Sequence, residues 1–408
     1  MKRVAVIGAG AAGCFCAAQL RRMAPELSVT LFEAGAKPLA KVAITGGGRC
    51  NLTNDFAGIR SLSEAYPRGE RLMKRALKAF SQEDTIQWFT AAGVPCVLQQ
   101  DHCYFPRSQD ATDVVRCLER GIKGAELRLR TPVRRIERYP VEPGTTGASW
   151  PAETGHLLVD GEDFDFVVVT TGGAAKGLPF LEGLGLEMVP PVPSLFTFTV
   201  PSPGLRSLMG LVVDVVIGLQ GTSFKAEGPL LITDWGLSGP ATLKLSSYAA
   251  RHLAEAGYKA TLCVNWLAKT EIQVRKILQE TAAESPQKQL SNTPVLQGRL
   301  WEYLLEKAGL RPDIRWAELG SKGLNRLTAT LTADSYPLSG KSRFREEFVT
   351  AGGVALSNIN LTTLECKSCP GLYFAGEVLD VDAITGGFNL QAAWSMGHVC
   401  AKSICNSL

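Results

Sequence analysis

The stretch Arg3-Val4-Ala5-Val6-Ile7-Gly8-Ala9-Gly10-Ala11-Ala12-Gly13 decides the fold of this chain. An apolar run leads into glycines spaced Gly-x-Gly-x-x-Gly, and a helical pattern follows. Gly8 permits a tight turn, Gly10 lets the backbone approach a pyrophosphate, and Gly13 allows the helix to pack closely on the strand. The sequence therefore predicts a strand over residues 3–8, a phosphate-binding turn and a helix over Ala11–Met23.

A second apolar run, residues 28–33, ends in Glu33, which lies twenty residues beyond Gly13. An acid at this spacing can hold a ribose hydroxyl and repels a 2′-phosphate. Ala11 and Ala12 form the first turn of the predicted helix, whose partial positive charge favours phosphate. The whole pattern predicts an adenine dinucleotide site, and it leaves NAD, NADP and FAD open.

Composition indicates an ordinary globular protein of two or three domains. The chain has 408 residues, of which 45% are hydrophobic and 20% are charged, and no run reaches transmembrane length. Eleven cysteines in a chain this long, with no secretory segment, indicate reduced thiols and a cytoplasmic protein without membrane attachment. Cys366-x-x-Cys369 is interpreted as a pair of surface thiols, and four scattered histidines predict no metal site.

Basic residues are concentrated in two places, although the net charge is only +4. One interpretation is a solvated helix face and a charged edge strand. The other is a docking surface for RNA or another polyanion. The first cluster contains Arg68, Arg71, Lys74, Arg75 and Lys78, and the second contains Arg128, Arg130, Arg134, Arg135 and Arg138.

Apolar periodicity predicts further elements of the first half of the chain. It predicts helices over about 70–80 and 82–92 and over Ala111–Gly121, and strands over about 125–139 and 156–169 with a hairpin loop at Gly144–Gly147. A glycine-rich loop is expected at 41–54. The buried strand 166–169 runs into Thr171-Gly172-Gly173.

The composition changes after this turn. Pro190, Pro191 and Pro193 are expected to form a linker. Short strands are predicted from about 194 to 265, a mostly helical stretch over 270–320, and strands at Thr328–Leu331 and Phe348–Ala351. This middle part is interpreted as a domain inserted into the dinucleotide-binding fold.

A second nucleotide-fold signal lies at the far end of the chain. The apolar strand 371–377 ends in Gly376 and Glu377, and Gly386-Gly387-Phe388-Asn389 begins a long apolar helix. FAD lies extended, so a protein must hold its adenosine and flavin ends separately. A helix starting at Gly387 can aim its positive end at flavin N1 and C2=O and raise the electron affinity of the flavin. The pair of signals favours FAD.

Four long segments carry a resemblance to a known family: KVAITGGGRCNLTN at 41–54, YFPRSQDATDVV at 104–115, LLITDWGLSGPATLKLS at 230–246 and GLYFAGEVLDVDAITGGFNLQAAWSMG at 371–397. With the fingerprint, they resemble the YhiN/BaiN-like family of NAD(P)/FAD-dependent oxidoreductases, which are aminoacetone-oxidase-like flavoproteins. The resemblance spans almost the whole chain.

The resemblance implies an α/β fold: a glutathione-reductase-type FAD-binding, Rossmann-like domain with an inserted β-barrel that carries a small helical subdomain. The FAD domain would comprise 1–189 and 351–408. The inserted domain would be 190–350, with the barrel at 190–267 and 322–350 and the helices at 268–321.

The fingerprint and the resemblance together assign cofactor binding to residues in four segments. The closing acids are expected to contact FAD hydroxyls rather than a metal, and this expectation includes Asp382. The assigned residues are Gly8, Gly10, Ala11, Ala12, Gly13, Glu33, Lys41, Gly48, Arg49, Cys50, Asn51, Val133, Thr171, Gly172, Gly173, Gly376, Glu377, Asp380, Gly386, Gly387, Phe388 and Asn389.

The sequence does not single out a catalytic acid or base. Arg49 could anchor a substrate anion or fix its loop on the FAD pyrophosphate. His102 and Tyr104 are candidate proton donors. Cys50 lies near the expected flavin, but no second thiol lies within ten residues in the same motif, so a packing role is favoured over redox chemistry.

The expected function is FAD-dependent oxidation–reduction. NADH or NADPH would bind transiently as reductant, because no second fingerprint is present. The acceptor would be an activated C=C bond or dioxygen. Three alternatives stay open: reduction of uridine in ribosomal RNA, oxidation of an amine or aminoketone, and non-enzymatic FAD binding. The small-molecule substrate and the oligomeric state are not indicated.

Overall fold

The computed structural model describes residues 1–138, 156–173, 177–341 and 349–408. The chain forms two compact units. Met1–Val192 and Val349–Leu408 make the first unit, and the continuous stretch Pro193–Phe348 makes the second. The first unit therefore contains both ends of the chain, including the opening glycine motif and the closing one.

A parallel sheet of five strands forms the centre of the first unit. Four of its strands are short and mostly apolar, as expected for a sheet covered on both faces, and the edge strand Glu126–Arg128 is charged. The opening strand Arg3–Ile7 lies in the middle, with Val4 opposite both Val29 and Phe166. In spatial order the strands are Leu372–Phe374, Phe166–Val169, Arg3–Ile7, Ser28–Phe32 and Glu126–Arg128. This is a Rossmann-type α/β arrangement, as the sequence predicts.

Helices cover this sheet. We call Ala11–Met23 the fingerprint helix, Glu70–Ala79 the basic helix and Phe388–Asn406 the C-terminal helix. The fingerprint helix packs along the C-terminal helix, where Phe15 and Trp394 have ring centroids 5.4 Å apart. The other helices of the unit are Ala40–Gly48, Leu62–Ala65, Gln82–Ala91 and Ala111–Gly121.

Three smaller sheets complete the first unit. One antiparallel sheet joins Thr53–Asn54, Cys103–Pro106 and Cys96–Leu98. A second joins Ile136–Arg138, Leu157–Val159 and Glu162–Phe164. The third pairs Met188–Ser194 with Val349–Val354.

The second unit contains an antiparallel sheet of seven strands. Its end strands, Asp334–Leu338 and Gly340–Lys341, are separated only by Ser339, so one continuous segment pairs with both neighbours. The strands in order are Asp334–Leu338, Ala260–Asn265, Val212–Leu219, Lys225–Ile232, Gly236–Ser238, Phe198–Thr199 and Gly340–Lys341. The helices are Pro203–Arg206, Pro240–Tyr248, Ala250–Glu255, Glu271–Glu284, Gly298–Lys307 and Gly320–Thr332.

Several sequence predictions of local structure are wrong. The expected loop at 41–54 begins inside the helix Ala40–Gly48, whose backbone leaves the helical region at Thr45–Gly47. The expected linker prolines lie in the strand Met188–Ser194, because an edge strand tolerates missing N–H donors. Residues 328–331 belong to the helix Gly320–Thr332, because packing of this helix overrides the strand preference of Thr328 and Thr330.

The thiols Cys366 and Cys369 are also misplaced by the sequence, since they are 2% and 1% exposed rather than at the surface. Their backbone is bonded to the strand Leu372–Phe374: Cys366 N donates to Leu372 O at 2.7 Å, and Leu372 N donates to Cys369 O at 3.2 Å. The predicted hairpin loop Gly144–Gly147 lies outside the described residues. Within the described part of the chain, no helix is long and apolar enough to cross a membrane.

Candidate cofactor site

The three fingerprint glycines have different surroundings. Gly8 has φ +104°, and a Cβ there would lie 2.6 Å from the carbonyl oxygen of Thr170. A Cβ on Gly13 would lie 1.9 Å from the carbonyl oxygen of Gly8. A Cβ on Gly10 would meet nothing within 4 Å. Two glycines therefore serve close packing, whereas Gly10 borders open space that a pyrophosphate can fill.

The first turn of the fingerprint helix offers unused hydrogen-bond donors. Gly10 is its N-cap and supplies no side-chain cap, and the first turn contains no acidic residue. Ala11 and Ala12 carry N–H groups of this turn, which have no acceptor within the helix. Together with the helix dipole they form a site for an anion, so these residues fit a dinucleotide phosphate.

Glu33 stabilises this turn directly. Its Oε2 accepts a hydrogen bond from Ala9 N at 2.9 Å, and its Oε1 accepts one from Gly35 N at 2.6 Å. Thr131 N donates to the carbonyl oxygen of Glu33, and the partly exposed Val133 follows two residues later. An open depression of about 520 Å³ beside this segment is lined by Arg130, Thr131, Pro132, Arg134, Arg135, Glu137, Asp160 and Gly161.

We call residues 46–54 the arginine loop. Gly46, Gly47 and Gly48 begin it with φ of +57°, +68° and +82°, the left-handed region that glycine adopts without strain. The Arg49 guanidinium lies over the ring of Phe105, with its central carbon 4.3 Å from the ring centroid. Its Nε donates to Gly46 O at 3.2 Å. Arg49 is exposed and has no ion pair in the described part of the chain, so it is a fixed cation available to an anion.

Cys50 follows as a fully buried residue with φ +61°. Burial raises the pKa of its thiol to about 12, although a hydrogen bond with the Thr45 side chain opposes the shift. A thiol with so high a pKa is a poor nucleophile at neutral pH. The geometry therefore supports the packing role of Cys50.

The arginine loop is bonded to the beginning of the C-terminal helix. With its amide oriented so that oxygen and nitrogen each face a complementary group, Asn51 donates to Thr53 O at 3.1 Å and accepts from Gly387 N at 3.2 Å. Thr53 Oγ1 donates to Gln391 Oε1 at 2.6 Å, and Asn54 Nδ2 donates to Gly386 O at 3.0 Å. Two motifs that are 332 to 338 residues apart in sequence thus form one structure.

The C-terminal helix begins with a second uncapped N-terminus. Gly387 is its N-cap with φ +88°, and its first turn contains no acid. A Cβ on Gly387 would lie 2.6 Å from both the Asn51 side-chain amide and Thr53 O. Tyr66 Oη donates to Phe388 O at 2.9 Å, and the Asn389 amide both accepts from Ala383 N and donates to Ala383 O at 3.0 Å.

Glu377 lies three residues after the edge strand Leu372–Phe374 of the central sheet. Its Oε1 accepts from Thr350 N at 2.7 Å, and its Oε2 lies 3.9 Å from Lys41 Nζ. Burial raises the pKa of Glu377, while Lys41 and the backbone N–H groups of Thr350 and Gly173 act in the opposite direction. A Cβ on Gly173 would lie 2.4 Å from Thr350 Oγ1, so this turn requires glycine.

Neighbouring predicted residues surround Glu377. Gly376 has φ +84°, and its hypothetical Cβ would lie 3.1 Å from the Cβ of Ala12, next to the fingerprint turn. Gly172 has φ +78°, with a hypothetical Cβ 3.7 Å from Glu377 Oε2. Thr171 is exposed, and Asp380 N donates to Val354 O at 3.0 Å.

Asp382 has a partner that the sequence did not indicate. Its carboxylate accepts two hydrogen bonds from Arg68, from Nε and from Nη2, the latter at 2.5 Å. The Asp382 side chain is fully buried and that of Arg68 is 11% exposed. The sequence placed Arg68 in a solvent-facing basic cluster, and this prediction is wrong, because the Arg68 side chain is paired with Asp382. Among the described residues no three His, Cys, Asp or Glu side chains form a metal-binding group.

The two candidate proton donors lie beside the arginine loop. Tyr104 is paired with Thr53 in the small sheet, and its carbonyl oxygen accepts from Leu52 N at 2.8 Å. His102 has φ +65°, and its Nδ1 lies 3.0 Å from Asp55 Oδ2. The His102 side chain is about half exposed, at 49%. Both side chains are thus attached to the segment that contacts Gly386 and Gly387.

A family model described as HI0933-like protein Rossmann domain matches residues 2–403. The chain belongs to this family. The resemblance to the YhiN/BaiN-like FAD-dependent oxidoreductases is thereby confirmed, and with it the assignment of a Rossmann-type flavoprotein oxidoreductase.

Relatives of this HI0933-like chain match it from end to end. The chain is 32% identical to "Ribosomal RNA dihydrouridine synthase" of Escherichia coli (strain K12), over 98% of this chain and 97% of that protein. It is 28% identical to "3-dehydro-bile acid delta(4,6)-reductase" of Clostridium scindens, over 99% of both. The crystal structure of 3-ketosteroid delta1-dehydrogenase from Sterolibacterium denitrificans shares the fold, with TM-score 0.52, 12% identity and full coverage of both chains.

Two residues that support the site in this HI0933-like fold were missed by sequence reasoning. Arg68 pairs with Asp382, and Gln391 binds Thr53 and donates to Ser395 Oγ at 2.9 Å. Gln391 carried a readable signal, because it is a large polar residue on a mostly apolar face of the C-terminal helix. Arg68 carried none, because its spacing matched that of the neighbouring surface cations.

Proposed function

We propose that this chain is an FAD-dependent reductase that saturates a C=C bond conjugated to a carbonyl group, with NADH or NADPH as transient reductant. The observation that best supports this proposal is the open turn at Gly10 together with the uncapped helix N-terminus at Gly387, both in the first unit. These two positive helix ends suit the phosphates and the reducible end of one extended cofactor.

The names of the relatives support this reaction class. One is named for making dihydrouridine in ribosomal RNA and one for reducing a bile acid derivative. A uracil ring and an unsaturated 3-oxo steroid both contain a C=C bond conjugated to C=O. Such bonds accept hydride at the carbon β to the carbonyl and a proton at the α carbon. A common active site can therefore serve either substrate.

The residues assigned to the cofactor fit it in this proposal. The fingerprint turn, Glu33 and Val133 would hold the adenosine and phosphate half, and Gly173, Glu377 and the arginine loop would hold the remainder. When bound, FAD supplies the hydride chemistry. The protein contributes the positive end of the C-terminal helix, the fixed charge of Arg49 and the exclusion of water by Phe388.

A side chain must supply the proton that the α carbon of the substrate receives. We propose His102 or Tyr104 as the donor, because both lie next to the arginine loop and carry an exchangeable proton. Asp55 fixes the orientation of His102 through its Nδ1. The continuous pairing of segment 334–341 also supports the proposal that the second unit is the β-barrel with a helical subdomain that the family resemblance implies.

Stopped-flow spectroscopy under anaerobic conditions tests the function. The purified protein should be yellow, and NADH or NADPH should bleach the flavin. Reoxidation should then follow addition of a uridine-containing RNA or a 4,6-dien-3-one steroid. Reduction of the flavin by an amine without NAD(P)H, followed by release of peroxide once air is admitted, would instead favour an amine or aminoketone oxidase. A flavin that neither nicotinamide nor amines reduce would indicate non-enzymatic FAD binding.

A matched pair of variants links this chemistry to the site. Gly10→Glu places a negative side chain in the open turn and should abolish FAD binding. Gly298→Glu adds the same charge at an exposed position where a Cβ also meets nothing within 4 Å, and it should leave FAD binding unchanged. Equal FAD content in the two variants would contradict the proposed site.

A further inference from the structure

One face of the basic helix exposes a row of positive charge. Arg71, Lys74, Arg75 and Lys78 are all exposed and follow the spacing i, i+3, i+4, i+7. Leu72, Met73 and Ala76 on the other face are buried. The four cations extend about 10 Å along the helix, at 1.5 Å per residue. We call them the basic face.

The basic face is not neutralised by the protein. Arg71, Lys74 and Lys78 have no ion-pair partner among the described residues, and Arg75 donates to a neutral group, Thr362 Oγ1, at 2.9 Å. These exposed cations are hydrated and are available to an anion from outside the chain. The desolvation cost is small because all four groups are exposed.

The second basic cluster is different. Arg128 lies 2.8 Å from Glu126 Oε1 and 2.5 Å from Glu162 Oε2, and Arg135 lies 2.9 Å from Glu137 Oε1. The backbone N–H groups of Arg134 and Arg135 are bonded to the carboxylate of Asp160. Two guanidinium groups of this cluster, those of Arg128 and Arg135, are therefore paired with carboxylates of the same chain, whereas the basic face has no carboxylate partner among the described residues.

The basic face is also attached to the candidate cofactor site. Gly69 precedes the basic helix with φ +84°, and a Cβ there would lie 2.5 Å from Val381 Cγ2. Arg68 is bonded to the adjacent Asp382. At the other end of the basic helix, Phe80 O accepts from Ser395 Oγ of the C-terminal helix at 2.7 Å. A molecule bound to the basic face is thus held at a fixed position relative to Gly387.

We propose that the basic face docks the sugar–phosphate backbone of an RNA substrate whose uracil base enters the cofactor site. This inference rests on the proposed reductase function and names its substrate class. A row of closely spaced, exposed cations matches a phosphate backbone, which presents regularly spaced negative charge. A steroid-like substrate has no comparable series of charges, so the basic face favours RNA over a lipid-like molecule.

The test compares RNA binding by flavin-loaded protein with two charge-matched variants. Arg71→Glu/Lys74→Glu/Arg75→Glu reverses the basic face. Arg22→Glu/Arg116→Glu/Lys123→Glu reverses three exposed cations elsewhere in the same unit. A uridine-containing RNA hairpin is titrated at several salt concentrations. The first variant should bind at least about tenfold more weakly and with a slope of log K against log salt that is about 2–3 smaller, while the control binds like the wild type.

Two further readouts separate this inference from the proposed function. NAD(P)H should bleach the flavin equally in wild type and in the basic-face variant, because the four cations lie outside the cofactor site. Reduced flavin without RNA binding would overturn the docking proposal alone, and RNA binding without flavin reduction would overturn the reductase function alone. Preferential binding of phosphatidylglycerol vesicles over RNA, or equal RNA binding by both variants, would overturn the docking proposal.

Discussion

Arg68 and Asp382 form a buried, two-pronged ion pair that joins the start of the basic helix to the loop before the C-terminal helix. The Asp382 side chain has no exposed surface, and Arg68 Nη2 donates a hydrogen bond to its Oδ2 at 2.5 Å. Two planar groups matched in this way orient each other as well as attract. The pair fixes the loop that positions Gly386 and Gly387.

Loss of one partner of this pair should be costly. Arg68→Met leaves the Asp382 carboxylate buried without its counter-charge, and we expect the free energy of unfolding to fall by about 3–5 kcal/mol. Denaturant unfolding of the apoprotein measures this. The double variant Arg68→Met/Asp382→Leu should lose clearly less than the single variant, because it removes the isolated charge. Equal losses in both would contradict the interpretation.

Gly13 and Gly10 should respond differently to alanine. Gly13→Ala forces a Cβ against the carbonyl oxygen of Gly8, so we expect a loss of about 1–3 kcal/mol in the stability of the apoprotein. Gly10→Ala should leave the apoprotein nearly as stable but weaken FAD binding at least about tenfold, or 1.4 kcal/mol. Unfolding curves and flavin titration separate the two effects. Normal FAD affinity in Gly10→Ala would show that the open side of the turn does not face the cofactor.

Cys50 should be dispensable for electron transfer. Its pKa of about 12 leaves almost no thiolate at neutral pH, because burial disfavours the charge. Cys50→Ala should therefore keep the rate of flavin reduction by NAD(P)H. In the native wild type, iodoacetamide should label Cys50 far more slowly than the partly exposed Cys263, as peptide mass spectrometry can determine. Fast labelling of Cys50, or loss of flavin reduction in the variant, would restore the redox interpretation.

Glu377 should make the stability of the apoprotein depend on pH. Burial raises its pKa in the folded state, so the folded protein favours the protonated carboxyl. Its stabilising contribution is then complete below the unfolded pKa of about 4.3 and is lost as pH rises through the folded value. Glu377→Gln lacks this titration, and its amide oxygen can still accept from Thr350 N.

We therefore expect Glu377→Gln to gain stability relative to wild type as the pH is raised from about 4 to 7. Chemical denaturation across this range measures the difference. Glu365→Gln, at a carboxylate that accepts from Gly371 N outside the site, serves as the control and should show no comparable gain. A wild type that becomes more stable relative to Glu377→Gln with rising pH would reverse the sign and contradict the burial effect.

Local sequence was sufficient to predict the bounds of helices where short-range rules dominate. The fingerprint helix spans Ala11–Met23 and the helix before the second cluster spans Ala111–Gly121, with the predicted bounds. Both follow from glycine spacing, capping and apolar periodicity, which act over a few residues. The cofactor residues assigned from sequence remain predictions, although the structure brings Asn51 and Gly387 together.

Neighbouring cations show where local rules fail. Arg68, Arg71 and Arg75 are alike in sequence, yet Arg68 is buried against Asp382 while the other two face solvent. The partner lies 314 residues away, so no local pattern could identify it. The same holds for the strand formed by Pro190 and Pro191, which exists because Val349–Val354 pairs with it.

The sequence by itself determined the dinucleotide turn, the Rossmann-type fold and the family. The turn depends on backbone conformations that glycine adopts without strain, and the strands and helices follow from the apolar period. The tertiary structure alone decided which charges are compensated. Charge compensation depends on distances between residues remote in sequence and on their burial, and both are set only when the two ends of the chain pack together. The same packing separated the buried pair Arg68–Asp382 from the exposed basic face.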